Sequence, residues 1–194
     1  NKCIISEGYP SAFNLHGGYT IEVNDCNIVT NDTLCETRGG DNFLIKNSFV
    51  SCNGYSVFCN DNDNFYAENT TLKSNTPNKI VFYNRCKSQT LKNCNIYYST
   101  TSTSSDNLPF FGNTKTLIEN CKFYNNYVQP KDEEAHGGAG CVRDGVVYEN
   151  CIFVNNSAAQ GGALTYHASG LIKNCTFINN TATEYGGALS TGYE

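Results

Sequence analysis

The chain has no tryptophan, and its 13 lysines and arginines never gather into a basic cluster. With a formal net charge of −5, this argues against nucleic acid as the natural partner. No apolar run is long enough to span a bilayer, so no membrane contact is expected of this segment. Eleven cysteines include no C-x-x-C pair, which weakens a zinc reading. Helical stretches are missing as well. Asn, Gly, Ser and Thr interrupt the chain every six to ten residues, and β-branched and aromatic residues fill the apolar slots. An amphipathic helical solenoid is thereby excluded. Sugar-stacking platforms often use tryptophan, so its absence weighs slightly against carbohydrate, although 13 tyrosines could serve.

What the chain does have is a recurring phrase. It is clearest at Glu119-Asn120-Cys121-Lys122-Phe123-Tyr124-Asn125-Asn126, at Glu149-Asn150-Cys151-Ile152-Phe153-Val154-Asn155-Asn156 and at Lys173-Asn174-Cys175-Thr176-Phe177-Ile178-Asn179-Asn180. Looser copies extend to the first residues. Aligned on the residue before the Cys, one column reads Lys2, Asp25, Asn47, Asn69, Asn93, Asn120, Asn150, Asn174. The next reads Cys3, Cys26, Ser48, Thr70, Cys94, Cys121, Cys151, Cys175. Two residues on come Ile5, Ile28, Val50, Leu72, Ile96, Phe123, Phe153, Phe177. Two residues before the first column lie Val23, Ile45, Ala67, Leu91, Ile118, Tyr148 and Ile172.

A small residue and a bulky apolar one, two apart, is strand alternation with both on one face. The Asn column sits between two apolar positions of opposite phase, so it must turn the chain sharply, and Asn tolerates the left-handed conformation best after Gly. Read as an inward turn, it would stack in a ladder that satisfies buried backbone groups. A second set of short strands is expected at 12–14, 34–36, 57–59, 80–82, 108–111, 139–141, 163–165 and 188–190. Gly-Gly precedes Ala in the last three, which permits a tight turn that a Cβ would resist. The fold expected is all-β: a parallel β-helix of about eight coils, three strands each, with the right hand favoured for β-crossovers.

One domain is expected over residues 1–194. The chain begins and ends inside a repeat, without a polar cap, signal peptide or membrane span. It is therefore read as a fragment of a longer repeat protein, or one whose ends are covered. Cysteines in the aligned column form either a ladder of inward thiols or disulfides between neighbours such as Cys94 and Cys121, with Cys35 and Cys59 as a second pair. Sequons begin at Asn31, Asn69, Asn155, Asn174 and Asn179. Asn69 and Asn174 fall in the column read as inward, so only the other three are expected to carry glycans.

The Asn-Cys-x-Phe-x-Asn-Asn plus Gly-Gly-Ala phrase resembles right-handed parallel β-helix repeats of large surface proteins, among them polymorphic outer-membrane and adhesin-like proteins. The match is strongest from Leu117 onward and looser where Cys becomes Ser48 or Thr70. The Asn-, Tyr- and Cys-rich composition is also similar to the cellulosomal scaffoldins of anaerobic gut fungi, whose repeats hold dockerin-bearing enzymes. Both resemblances imply a non-catalytic, extracellular, cell-surface role, with a cohesin-like binding of a protein partner in the second case.

The same fold hosts polysaccharide lyases and glycosidases, which need carboxylate pairs or a calcium cluster with a base. Asp61-Asn62-Asp63-Asn64 begins like a calcium loop but lacks the following Gly and terminal Glu, so it reads as a polar turn. Arg38, Arg85 and Arg143, with Asp41 and Asp144, fall near one turn of different coils. His16 and His167 lie at matching turns too far apart to cooperate. No catalytic residue, metal or cofactor is assigned.

Coil lengths point elsewhere. Two adjacent coils take 27 and 30 residues where the others take 22–24. The insertions, 99–107 and 127–136, should stand together on one face. The candidate partner-binding residues are Phe110, Phe111, Tyr124, Tyr127, Asp132, Glu133, Glu134 and His136, aromatics beside acids. Outward Tyr97, Tyr124 and Val154 should form a stripe along the rod. The reading is a non-catalytic extracellular protein-binding module. A lyase or hydrolase of this fold is the first alternative, a structural spacer the second, and carbohydrate stays open as a ligand.

Overall fold

The computed structural model describes residues 3–5, 11–16, 18, 20–31, 33–38, 42–53, 57–60, 64–74, 82–84, 87–97, 100–101, 115–128 and 137–191. Every strand pairing among them is parallel and runs to the next coil. Eight strands stack on the face that carries the cysteine column: Cys3–Ile5, Cys26–Thr30, Phe49–Cys52, Thr71–Ser74, Asn95–Tyr97, Lys122–Tyr124, Ile152–Val154 and Thr176–Ile178. Seven stack on the preceding face, from Thr20–Asn24 to Leu171–Lys173. The register matches the sequence columns: Ile28 faces Val50, Leu72 faces Ile96, Phe123 faces Phe153 and Phe153 faces Phe177. On the preceding face Val23, Ile45, Ala67, Leu91, Ile118, Tyr148 and Ile172 line up in the same way.

These inward columns are the core. Phe123, Phe153 and Phe177 stack with ring centroids 4.9 Å apart at each step, and Tyr148 packs edge-on against the first two. Each fully buried Phe contributes on the order of 1.5–3 kcal/mol, with a further stacking gain.

Between the two faces sits a one-residue corner. Asp25, Asn47, Asn69, Asn93, Asn120, Asn150 and Asn174 all hold φ between 49° and 56°. The left-handed conformation is as expected; the inward direction is not. These side chains are exposed, and Asn93 donates to Asn69, which donates to Asn47, in a ladder on the outside. A single left-handed residue between two strands keeps its own side chain outward, beside the outward residue before it, and turns the residue after it in. The exclusion of glycans at Asn69 and Asn174 therefore falls, since both are exposed like Asn31, Asn155 and Asn179.

The inward ladder lies at the next corner. Asn156 Oδ1 accepts from the backbone N–H of Asn126 at 3.0 Å and from its Nδ2 at 2.8 Å. Asn180 Oδ1 does the same for Asn156. The Nδ2 groups of all three also donate to backbone carbonyls of the preceding coil. Buried amides thus close the backbone account of the turn.

Coils from residue 122 onward have four strands, one more than expected. Asn125, Asn155 and Asn179 are also left-handed and end the Phe strand after three residues. A further strand follows: Tyr127–Val128, Ser157–Gln160, Thr181–Tyr185, joined by Thr100–Thr101. Earlier coils have no such residue at this corner among those described, and Cys26–Thr30 runs five residues. The expected second strand set also divides. Ser11–His16, Thr33–Arg38, Val57–Asn60 and Phe82–Asn84 form one sheet; Gly140–Val142, Leu164–Tyr166 and Leu189–Thr191 form another. Segment 108–111 lies outside the described residues.

The seven described cysteines that are assigned a state are free thiols, so the disulfide expectation is not met for Cys94 and Cys121. Parallel in-register strands give stacked residues parallel Cβ vectors, whereas a disulfide needs them converging to about 3.8 Å. Cys35 is two residues out of register with Cys59: it faces Phe13, and Cys59 faces Thr37. From Cys26 to Cys175 the column thiols instead donate to the carbonyl two residues back, Cys94 to Lys92 and Cys121 to Glu119 at 3.3 Å. Ser48 and Thr70 do the same with Lys46 and Glu68. The column selects a small hydrogen-bond donor that ties down the carbonyl just before the corner.

Candidate partner-binding surface

Outward positions on the cysteine face form the expected stripe. Tyr97 faces Tyr124, Tyr124 faces Val154, and Val154 faces Ile178. Tyr97 and Tyr124 meet edge-on with centroids 6.2 Å apart, and the Tyr124 hydroxyl donates to Asn95 Oδ1 at 3.1 Å. Burial, then the nearby Tyr97, push the Tyr124 phenol above its ordinary range. Ile178 is 44% exposed. Tyr127 stands across the Asn125–Asn126 corner, 39% exposed, where the longer insertion begins. So Tyr124 and Tyr127 flank one corner on adjoining sheets. Phe110, Phe111, Asp132, Glu133, Glu134 and His136 lie outside the described residues.

A feature not anticipated from the sequence borders the other side of the outward Asn ladder. Lys46, Glu68, Lys92, Glu119, Glu149 and Lys173 share one outward row. Lys92 bridges Glu119 at 3.0 Å and Lys173 bridges Glu149 at 2.7 Å. Both lysines are shifted upward by these hydrogen bonds and charges. The row was legible as a column one residue before the Asn. Opposite charges in register oppose slippage between coils, although exposed pairs add little to stability.

The polar candidates disperse. Asn64 sits in a strand and donates to Asn42, with Ser88 donating to it in turn, a second outside ladder. Asp61 and Asp63 lie outside the described residues, as do Asp41 and Arg85. Arg38 ends a strand between His16 and Asn60 on one sheet. Arg143 opens the turn after Gly140–Val142 on another, half-buried beside the Cys141 thiol. Asp144 is exposed in that turn, and His167 is half-buried, its backbone N–H donating to Val142 O at 2.9 Å.

A family model described as "Right handed beta helix region" matches residues 35–193. The chain belongs to that family. The handedness favoured for β-crossovers is thus the family's own. No curated protein and no solved structure matches the chain.

Proposed function

We propose that this right-handed β-helix is a non-catalytic, extracellular module of a large surface or scaffold protein, and that it docks a protein partner. The observation that carries the reading is the outward stripe of Tyr97, Tyr124, Val154 and Ile178, continued by exposed Tyr127 at the corner where the 127–136 insertion starts. A flat sheet face with paired tyrosines and a polar border supplies the aromatic anchors that interfaces use. Acids Asp132, Glu133 and Glu134 of the insertion make the partner's complementary face basic. The adhesin-like and scaffoldin-like resemblances favour the same role, with a dockerin-type module on a secreted enzyme as one such partner. Exposed sequon asparagines fit an extracellular setting. Buried, non-converging thiols are compatible with it.

The test is a pull-down with the immobilised chain against secreted proteins of its own source, read by mass spectrometry. Cutting 127–136 back to the length of the other coils should abolish the enrichment. Turnover on a polysaccharide panel, lost on Arg143→Ala or Asp63→Asn, would instead make the chain an enzyme.

A further inference from the structure

The second surface feature lies on earlier coils, with Phe49 two strands before the one that carries Tyr97. Asp25, Asn27, Asn47, Phe49 and Asn69 line a shallow groove of about 560 Å³. Phe49 points outward and is 36% exposed. Its neighbours along the row are Asn27 and Thr71, so it lacks the edge-on aromatic partner that Tyr97 and Tyr124 give each other. The outside Asn ladder also stops here. Asn93 donates to Asn69 and Asn69 to Asn47, but the next position is Asp25 rather than Asn. Among the described residues, the Asp25 carboxylate, the Asn27 amide and the Asn47 Nδ2 have no side-chain partner. An apolar ring face is therefore ringed by unused donors and acceptors. Two coil spacings, about 10 Å, separate Asp25 from Asn69.

We propose that this groove binds a neutral oligosaccharide, with a sugar ring lying on Phe49 and its hydroxyls bonded to Asp25, Asn27 and Asn47. A pyranose presents a C–H face to the ring and an edge of hydroxyls that both donate and accept, which matches the mixed lining. The ligand is neutral because the groove has a carboxylate and no cation, on a chain of net charge −5. This inference does not depend on the protein-docking reading, which rests on other coils.

The test titrates the chain, produced in a bacterial host so that the Asn69 sequon stays bare, with cellohexaose, xylohexaose, mannohexaose and chitohexaose by calorimetry. Trigalacturonate is the acidic control. One neutral hexasaccharide at least should bind saturably. Phe49→Ala should weaken it tenfold or more and Asn27→Ala several-fold, while Thr176→Ala on the exposed last coil leaves it unchanged. Circular dichroism checks each fold, and Asn27→Ala decides if Phe49→Ala unfolds. The proposal is overturned if no neutral oligosaccharide binds, if the correctly folded groove variants bind like the parent, or if trigalacturonate binds more tightly.

Discussion

Two asparagine columns that look alike in the sequence do opposite work at the residue scale. Asn156 is buried and satisfies two donors of Asn126 while its own Nδ2 reaches Phe123 O. Asn156→Ala should cost about 2–4 kcal/mol, because the buried partners are left unpaired. Asn150 is exposed at φ 54°, so Asn150→Ala should cost only about 1–2 kcal/mol of backbone strain. Urea unfolding of the two variants checks the order. The left-handed corner was legible from the Asn column; the direction of its side chain was not, since spacing alone does not say which of two neighbouring columns turns in. A second prediction concerns the buried Cys141 thiol, which burial pushes up from 9.0 to about 11 against the opposing pull of Arg143. The unfolded thiol loses its proton first, so between pH 9 and 11 the unfolded state holds fewer protons. Stability is intact below pH 9 and should fall by about 2–3 kcal/mol as pH rises to 11. Cys141→Ser should flatten that part of the alkaline limb in thermal melts.

Turns decide the outcome at the element scale. Gly137, Gly161 and Gly186 hold φ of 60–63°, and a Cβ on Gly161 would lie 2.2 Å from Leu164 O. The second glycine of the first two pairs is no freer: a Cβ on Gly162 would lie 2.1 Å from Gly187 O of the next coil. Gly161→Ala should cost more than about 3 kcal/mol and open the last coils first, read as early hydrogen exchange of residues 157–166 with 176–191. Gly-Gly-Ala was readable as a turn, and the strand after it was placed within one residue. The extra strand at Ser157–Gln160 was not, because its existence depends on the left-handed state of Asn155, which Asn-Asn allows but does not require. Of the two cysteine alternatives the thiol ladder holds and the disulfides do not, for a similar reason: coil spacing fits a Cα separation, while parallel Cβ vectors and a two-residue register offset only show in three dimensions.

For the whole molecule, stacking is the organising fact. Coils contact their neighbours, so stability is close to a sum of neighbour terms and the core columns repeat without a centre. The apolar columns were readable residue by residue for this reason, each being one coil's contribution to a shared line. Function is less legible for the same reason, since a solenoid presents long outward rows and only chemistry that breaks the repetition marks a site. Two such breaks stand out: paired tyrosines at the inserted coils, and a lone phenylalanine where the outside Asn ladder ends. The first carries the docking role. Its most direct measurement compares capture of secreted partners by the parent chain and by a Tyr97→Ser, Tyr124→Ser double variant of confirmed fold. A docking module predicts a specific partner enriched by the parent and reduced at least tenfold by the variant. Equal capture by both, or no enriched protein at all, would contradict it.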